Sequence, residues 1–134
     1  MSDIRQETIA VVGVSERQEK YGFKIFRDML EAGYDVKGVS LRGGEILGRR
    51  IYKSLKEIEP IPSMVITVVL PLVTERIVEE CHQLGIGQIW MQPGSESEIA
   101  VRKAAEYGIK VTSNACIMIK RGIWKAPNAP GASV

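Results

Sequence analysis

Met64-Val65-Ile66-Thr67-Val68-Val69-Leu70 is the stretch on which the fold of this chain turns. Apart from Thr67 every residue in it is apolar, and the run hardly alternates. A strand built from it is buried on both faces, as strands in the middle of a parallel sheet are. Four further short segments rich in β-branched and apolar residues recur around it, set off by Gly or Pro: Thr8 to Gly13, Asp35 to Ser40, Gln88 to Met91 and Lys110 to Thr112.

Helical spacing fills most of the gaps. Tyr21, Ile25, Phe26, Met29 and Leu30 form one apolar stripe that stops at Gly33. Val73, Ile77, Cys81 and Leu84 form a second that stops at Gly85, and Ala100, Val101, Ala104 and Ala105 a third that stops at Gly108. Ser95 or Ser97 is available as N-cap of the third, with Glu98 in its first turn. Repeated strand-helix-glycine units force right-handed crossovers and a parallel sheet with helices on both faces. The expected fold is α/β, a doubly wound sheet in three layers. Its expected strand order is 3-2-1-4-5, with Arg50 to Tyr52 as the third, edge strand. Between that strand and Met64 a short helix capped by Ser54 has to stop before Pro60-Ile61-Pro62.

The composition narrows the function. The chain has 134 residues, 45% apolar and 25% charged, and one domain over residues 1–123 is expected, with 124–134, rich in Ala, Pro and Gly, as a loose tail. Eighteen Lys and Arg against 16 Asp and Glu leave a net charge of +2, too little for the basic face that duplex DNA demands. No nucleic-acid partner is expected. Two Cys without CxxC spacing and one His do not assemble a four-ligand zinc site. The charged start of the chain and the lack of a long apolar run point to the cytoplasm, with no membrane partner.

In an open doubly wound sheet ligands sit beyond the carboxyl ends of the strands, where the strand order reverses. The first loop there is Gly13-Val14-Ser15-Glu16-Arg17-Gln18-Glu19-Lys20-Tyr21-Gly22. Gly13 allows a sharp turn, Ser15 offers a hydroxyl, Arg17 and Lys20 add charge, and the helix that follows presents free N–H groups to an anion. An ordinary βα turn with solvated charges has the same composition. The dinucleotide pattern G-x-G-x-x-G fails, because Ser15 and Gln18 occupy its second and third glycine positions, and no Gly-Lys-Ser/Thr occurs. The second strand ends Val39-Ser40-Leu41-Arg42, where an NAD site needs a carboxylate. Arg42 instead suits a phosphorylated ribose, which NADP carries at the 2′ position and coenzyme A at the 3′ position, or it is a solvated loop cation. Val69-Leu70-Pro71 is either an apolar wall for a ligand or the end of a buried strand. In Trp90-Met91-Gln92-Pro93-Gly94, Gln92 supplies donors and acceptors, and Gly94 permits close approach.

These residues, in order, resemble the small single-domain CoA-binding proteins, whose domain is similar to the nucleotide-binding domain of the succinyl-CoA synthetase α subunit. The carriers are Ile9 to Ser15, Gly33 to Val36, Gly44 to Leu55, Ile89 to Gly94 and Cys116 to Ile119. The resemblance implies a Rossmann-like fold and coenzyme A as the ligand. It implies that Gly13, Val14, Ser15, Glu16, Arg17 and Gln18 surround the CoA phosphates, flanked by Lys20 and Tyr21. Ser40 and Arg42 then meet the phosphorylated ADP end, Val69, Leu70 and Pro71 flank the nucleotide, and Trp90, Met91, Gln92 and Gly94 line the pantetheine path. The chain departs from the family pattern at Ser40-Leu41, usually Asn-Pro, at Ala115, commonly Arg, and at Lys120, usually Glu.

The synthetase's phosphohistidine belongs to a further domain. His82, the one histidine here, falls in the middle of the second helix and is expected to be a surface or packing residue. Cys81 is expected in the core, and Cys116 near the thiol end of the ligand, as an inert thiol or a partner for a mixed disulfide. The expectation is therefore a module that binds CoA or an acyl-CoA, without chemistry of its own, as a monomer or homodimer. A small NADP-linked reductase and a structural subunit with a vestigial cleft are the alternatives.

Overall fold

The computed structural model describes residues 7–123. Seven strands form one sheet: β1 (Thr8–Val12), β2 (Asp35–Val39), β3 (Glu45–Ile46), β4 (Arg49–Tyr52), β5 (Met64–Thr67), β6 (Gln88–Met91) and β7 (Lys110–Thr112). Their order across the sheet is β3-β4-β2-β1-β5-β6-β7. All neighbours pair in parallel except β3 with β4, so the sheet is mostly parallel and reverses direction of growth at β1. Helices α1 (Tyr21–Glu31) and the short α4 (Ile117–Lys120) cover one face, α2 (Pro71–Leu84) and α3 (Glu98–Glu106) the other.

The unbroken apolar run works as read. Met64 and Ile66 pack among Phe26, Met29 and Ile117, while Val65 points to the opposite layer with Val78, Cys81 and Ala104. None of these side chains is exposed. The strand is shorter than the run, however. It ends at Thr67, because Pro71 opens α2 and holds Leu70 extended as its N-cap (φ −64°, ψ 149°).

Each helix stops in the same way. The N–H of Tyr34, Ile86 and Ile109 reaches back to the carbonyl of Met29, Cys81 and Ala104, at 3.1, 2.8 and 2.8 Å, across a glycine with positive φ. The residue after each glycine is buried, which adds the apolar contact typical of this stop. Ser97, not Ser95, caps α3, accepting the N–H of Ala100 at 2.9 Å.

Three expectations change. Arg49–Tyr52 is not the edge, because the two-residue strand β3 pairs antiparallel outside it, and the sheet continues to β7 at its other edge. The helix expected after Tyr52 is only a 3-10 turn, Leu55–Glu57, which ends before the cis Glu59–Pro60 bond, and Ser54 makes no side-chain cap. Tyr21 heads α1 with 45% of its surface exposed, outside the buried stripe. The expected tail, 124–134, lies outside the described residues.

Candidate functional site at the strand ends

The first loop crosses the end of β5 at contact distance. Gly13 sits at φ +106°, its N–H donating to the Val39 carbonyl at 2.9 Å. A Cβ there would fall on the Val68 carbonyl oxygen and lie 2.9 Å from a Val69 methyl. The bare backbone at Gly13 is therefore required by the protein's own packing. Gly22, in the first turn of α1, repeats the device: its Cβ would strike the Gly13 carbonyl oxygen. Val14 then drops into the core, 5% exposed, into space left by Gly38, whose own Cβ would be 3.1 Å from both Val14 methyls.

Two serines shape the loops on either side of the switch point. Ser15 Oγ accepts the N–H of Arg17 at 3.0 Å, and Ser40 Oγ accepts the N–H of Arg42 at 3.3 Å. Each hydroxyl turns its loop while keeping its own proton to donate. Between them lies a cavity of about 340 Å³, lined by Ser15, Glu16, Arg17, Ser40, Arg42 and Glu45 among others. Arg17 pairs with Glu19 at 3.1 Å on the surface. Arg42 has no ion-pair partner among the described residues, so its charge stands open beside the two hydroxyls. Gln18 and Lys20 are exposed outside this cavity, Lys20 preceding α1 without a side-chain cap.

A second cavity, about 390 Å³, is lined by Val12, Val39, Leu41, Val69, Val73 and Arg76 among others. Val69 thus forms an apolar wall, whereas Leu70 is 74% exposed beside it and Pro71 serves as the first residue of α2.

The third cavity, about 330 Å³, lies over β5 and β6, lined by Tyr21, Val68, Gln92, Pro93, Cys116 and Ile119 among others. Gln92 reaches it nearly buried, with both ends of its amide engaged: Oε1 accepts the N–H of Ile117 at 2.7 Å, and Nε2 donates to Cys116 Sγ at 3.4 Å. The residue is a strut that ties β6 to α4. Ser95 fixes the same loop from below, its hydroxyl 2.9 Å from that of Thr67 and within 3.0 Å of the Thr67 and Gln92 carbonyls. Trp90 and Met91 do not reach the surface of the strand end. Met91 is fully buried against α2 and α3, and the Trp90 indole donates to the Ala115 carbonyl at 2.8 Å within the opposite layer. Alternation along β6 sends both into the core, and only Gln92 to Gly94 remain at its carboxyl end. Gly94 is exposed at φ +94°, and a Cβ there would meet nothing. Its requirement is the turn.

Burial pushes the Cys81 thiol up to about 12, which makes it inert, and Cys116 is the half-buried free thiol. His82 is exposed and stacks on Tyr107 at 3.8 Å, away from every strand-end loop. No cluster among the described residues has the makings of a metal site, and none of their helices is long and apolar enough to cross a membrane. Gly22, Gly38, Thr67 and Ser95 are positions to which the sequence reading gave no role in shaping the site. A glycine in the first turn of a helix, where its propensity is poor, was the available signal for Gly22.

The architecture defines a Rossmann-like α/β domain with its clefts at the strand carboxyl ends. The chain belongs to the CoA binding domain family, whose model matches residues 7–122. It is 30% identical over 121 residues to the α subunit of acetate–CoA ligase [ADP-forming] I of Pyrococcus furiosus, covering 78% of this chain but only 26% of that subunit. It is 31% identical to the protein YneT of Bacillus subtilis, over 90% of both chains. Among solved structures, a conserved hypothetical protein of Pyrococcus furiosus superposes with a TM-score of 0.81 at 33% identity, over 85% of this chain and 98% of that one. A hypothetical protein from Pyrococcus horikoshii does so at 0.82 and 32%, over 87% and 82%.

Proposed function

We propose that the chain binds coenzyme A across the carboxyl ends of β2, β1, β5 and β6 and holds it without chemistry of its own. The observation that carries this reading is the cavity between Ser15 and Ser40, with the open charge of Arg42 in its wall. Arg42 takes the 3′-phosphate, the loop Gly13 to Gln18 takes the pyrophosphate, with Lys20 adding positive charge at the mouth, and Val69 to Pro71 flank the nucleotide. The pantetheine arm passes Tyr21 and runs over Gln92 and Gly94 towards Cys116. In this reading residues 1–123 are the binding domain, acting in the cytoplasm as a monomer or homodimer. The ligase subunits to which the chain is similar are much longer. A reductase is disfavoured by the first loop, where Ser15 stands at the position that a dinucleotide's pyrophosphate approaches closely.

Calorimetry with CoA and dephospho-CoA tests the reading. Charge-assisted hydrogen bonds make CoA the tighter ligand by about tenfold or more, and Arg42→Ala removes most of that preference. Equal affinity for the two ligands in the unaltered protein would refute the role of Arg42.

A further inference from the structure

The cavities at the two ends of the site differ in chemistry. The one between the first two loops carries Glu16, Arg17, Arg42 and Glu45 in its lining. The one over β5 and β6 has no charged side chain in its lining, and beside Gln92 its walls are Tyr21, Val68, Pro93, Asn114, Ala115 and Ile119, with the Cys116 thiol. Its buried amide, Gln92, is already committed to Ile117 and Cys116 and offers little to an anion. Apolar surface here is also open to solvent: Tyr21 and Ile119 are each 45% exposed.

From the β2 end to the β6 end the sheet takes three steps, about 14 Å at ordinary strand spacing. An extended pantetheine arm anchored by its phosphates at the first loop covers that span. We infer that the uncharged cavity receives the acyl group of an acyl-CoA thioester, and that this group is short, apolar and without a carboxylate. The inference rests on the CoA reading above and names the ligand class within it. The arm's end occupies part of about 330 Å³, which leaves space inside it for a few carbons. A second carboxylate on the acyl group would be desolvated against walls that hold no cation, which is unfavourable.

The test is a calorimetric series on the full chain with CoA, acetyl-CoA, butyryl-CoA and succinyl-CoA. Two further buried methylenes make butyryl-CoA about tenfold tighter than acetyl-CoA. Succinyl-CoA, of similar length, binds at least about tenfold more weakly than butyryl-CoA, because its carboxylate finds no cation in the lining. Ile119→Lys, at a half-exposed position that tolerates a long polar chain, places a cation at the cavity. It reverses the order of succinyl-CoA and butyryl-CoA. If CoA binds but the acyl series is flat, or succinyl-CoA matches butyryl-CoA, the inference falls while the CoA reading stands. If CoA does not bind, both fall.

Discussion

Gly13 and Gly22 meet across the junction of β1 and α1, and neither has space for a methyl group. At Gly13 a side chain would combine a left-handed backbone with a collision against the Val68 carbonyl. Gly13→Ala is therefore expected to destabilise the fold by roughly 2 to 5 kcal/mol, the sum of backbone strain and overpacking. Gly22→Ala has the collision without the strain, so its loss is smaller, about 1 to 3 kcal/mol. Urea unfolding of both variants checks the ranking, and a Gly13→Ala protein as stable as the parent would show that the loop relaxes freely. Residue types at the strand ends were readable from the sequence, but their directions were not. Trp90 and Met91 stand next to Gln92 in the chain, yet alternation puts both in the core, and Gln92 spends its amide on α4. A sequence shows that a glutamine is present and not which partner has already taken its hydrogen bonds.

At the level of elements, α2 and α3 are clasped on their outer side. The Tyr107 hydroxyl lies 2.7 and 2.8 Å from the two carboxylate oxygens of Glu79, Lys103 Nζ lies 3.2 Å from the same carboxylate, and His82 stacks on the Tyr107 ring. The tyrosine's hydrogen bond, helped by Lys103, holds the Glu79 carboxyl below its ordinary value of 4.5, and the same bond raises Tyr107 above 10. Because Glu79 is depressed in the folded state, its contribution is full above the unfolded carboxyl range and is lost as pH falls through the folded value. Tyr107 is raised, so its contribution is full below the unfolded phenol value and disappears as pH rises through the folded one. The stability difference between the parent and Tyr107→Phe should therefore be flat through neutral pH and shrink towards both extremes. Thermal melts across pH check it, and a difference that peaks in acid would contradict the clasp. The major elements were legible because burial and glycine stops leave a periodic mark. The β3–β4 hairpin was not. Its two-residue turn is Leu47-Gly48, both at positive φ, where Asn-Gly is the usual signature, and a leucine at φ +54° hides the turn.

Across the whole molecule, the reversal of strand order at β1 opens clefts on both sides of the first loop, and in the reading proposed above that loop selects the nucleotide. The G-x-G-x-x-G pattern is absent, yet one of its functions survives: Gly22 provides the close packing of helix on strand that the third glycine of that pattern supplies elsewhere. What does not survive is the bare second position. Ser15 is there instead, half-buried, with its Oγ engaged by the Arg17 N–H. A dinucleotide pyrophosphate that must press against the backbone meets a side chain, whereas a ligand that approaches from the Ser40 side can use both hydroxyls and Arg42. CoA at a hundredfold excess over its dissociation constant should raise the melting temperature by on the order of 10 °C, from about 2.7 kcal/mol of linkage in a chain of this size. NADP at the same concentration should raise it by no more than a degree or so, since its weak binding leaves the linkage near zero. A thermal-shift titration with both ligands decides this. NADP outperforming CoA would transfer the site to a nicotinamide cofactor and restore the reductase reading, with Arg42 serving a 2′-phosphate.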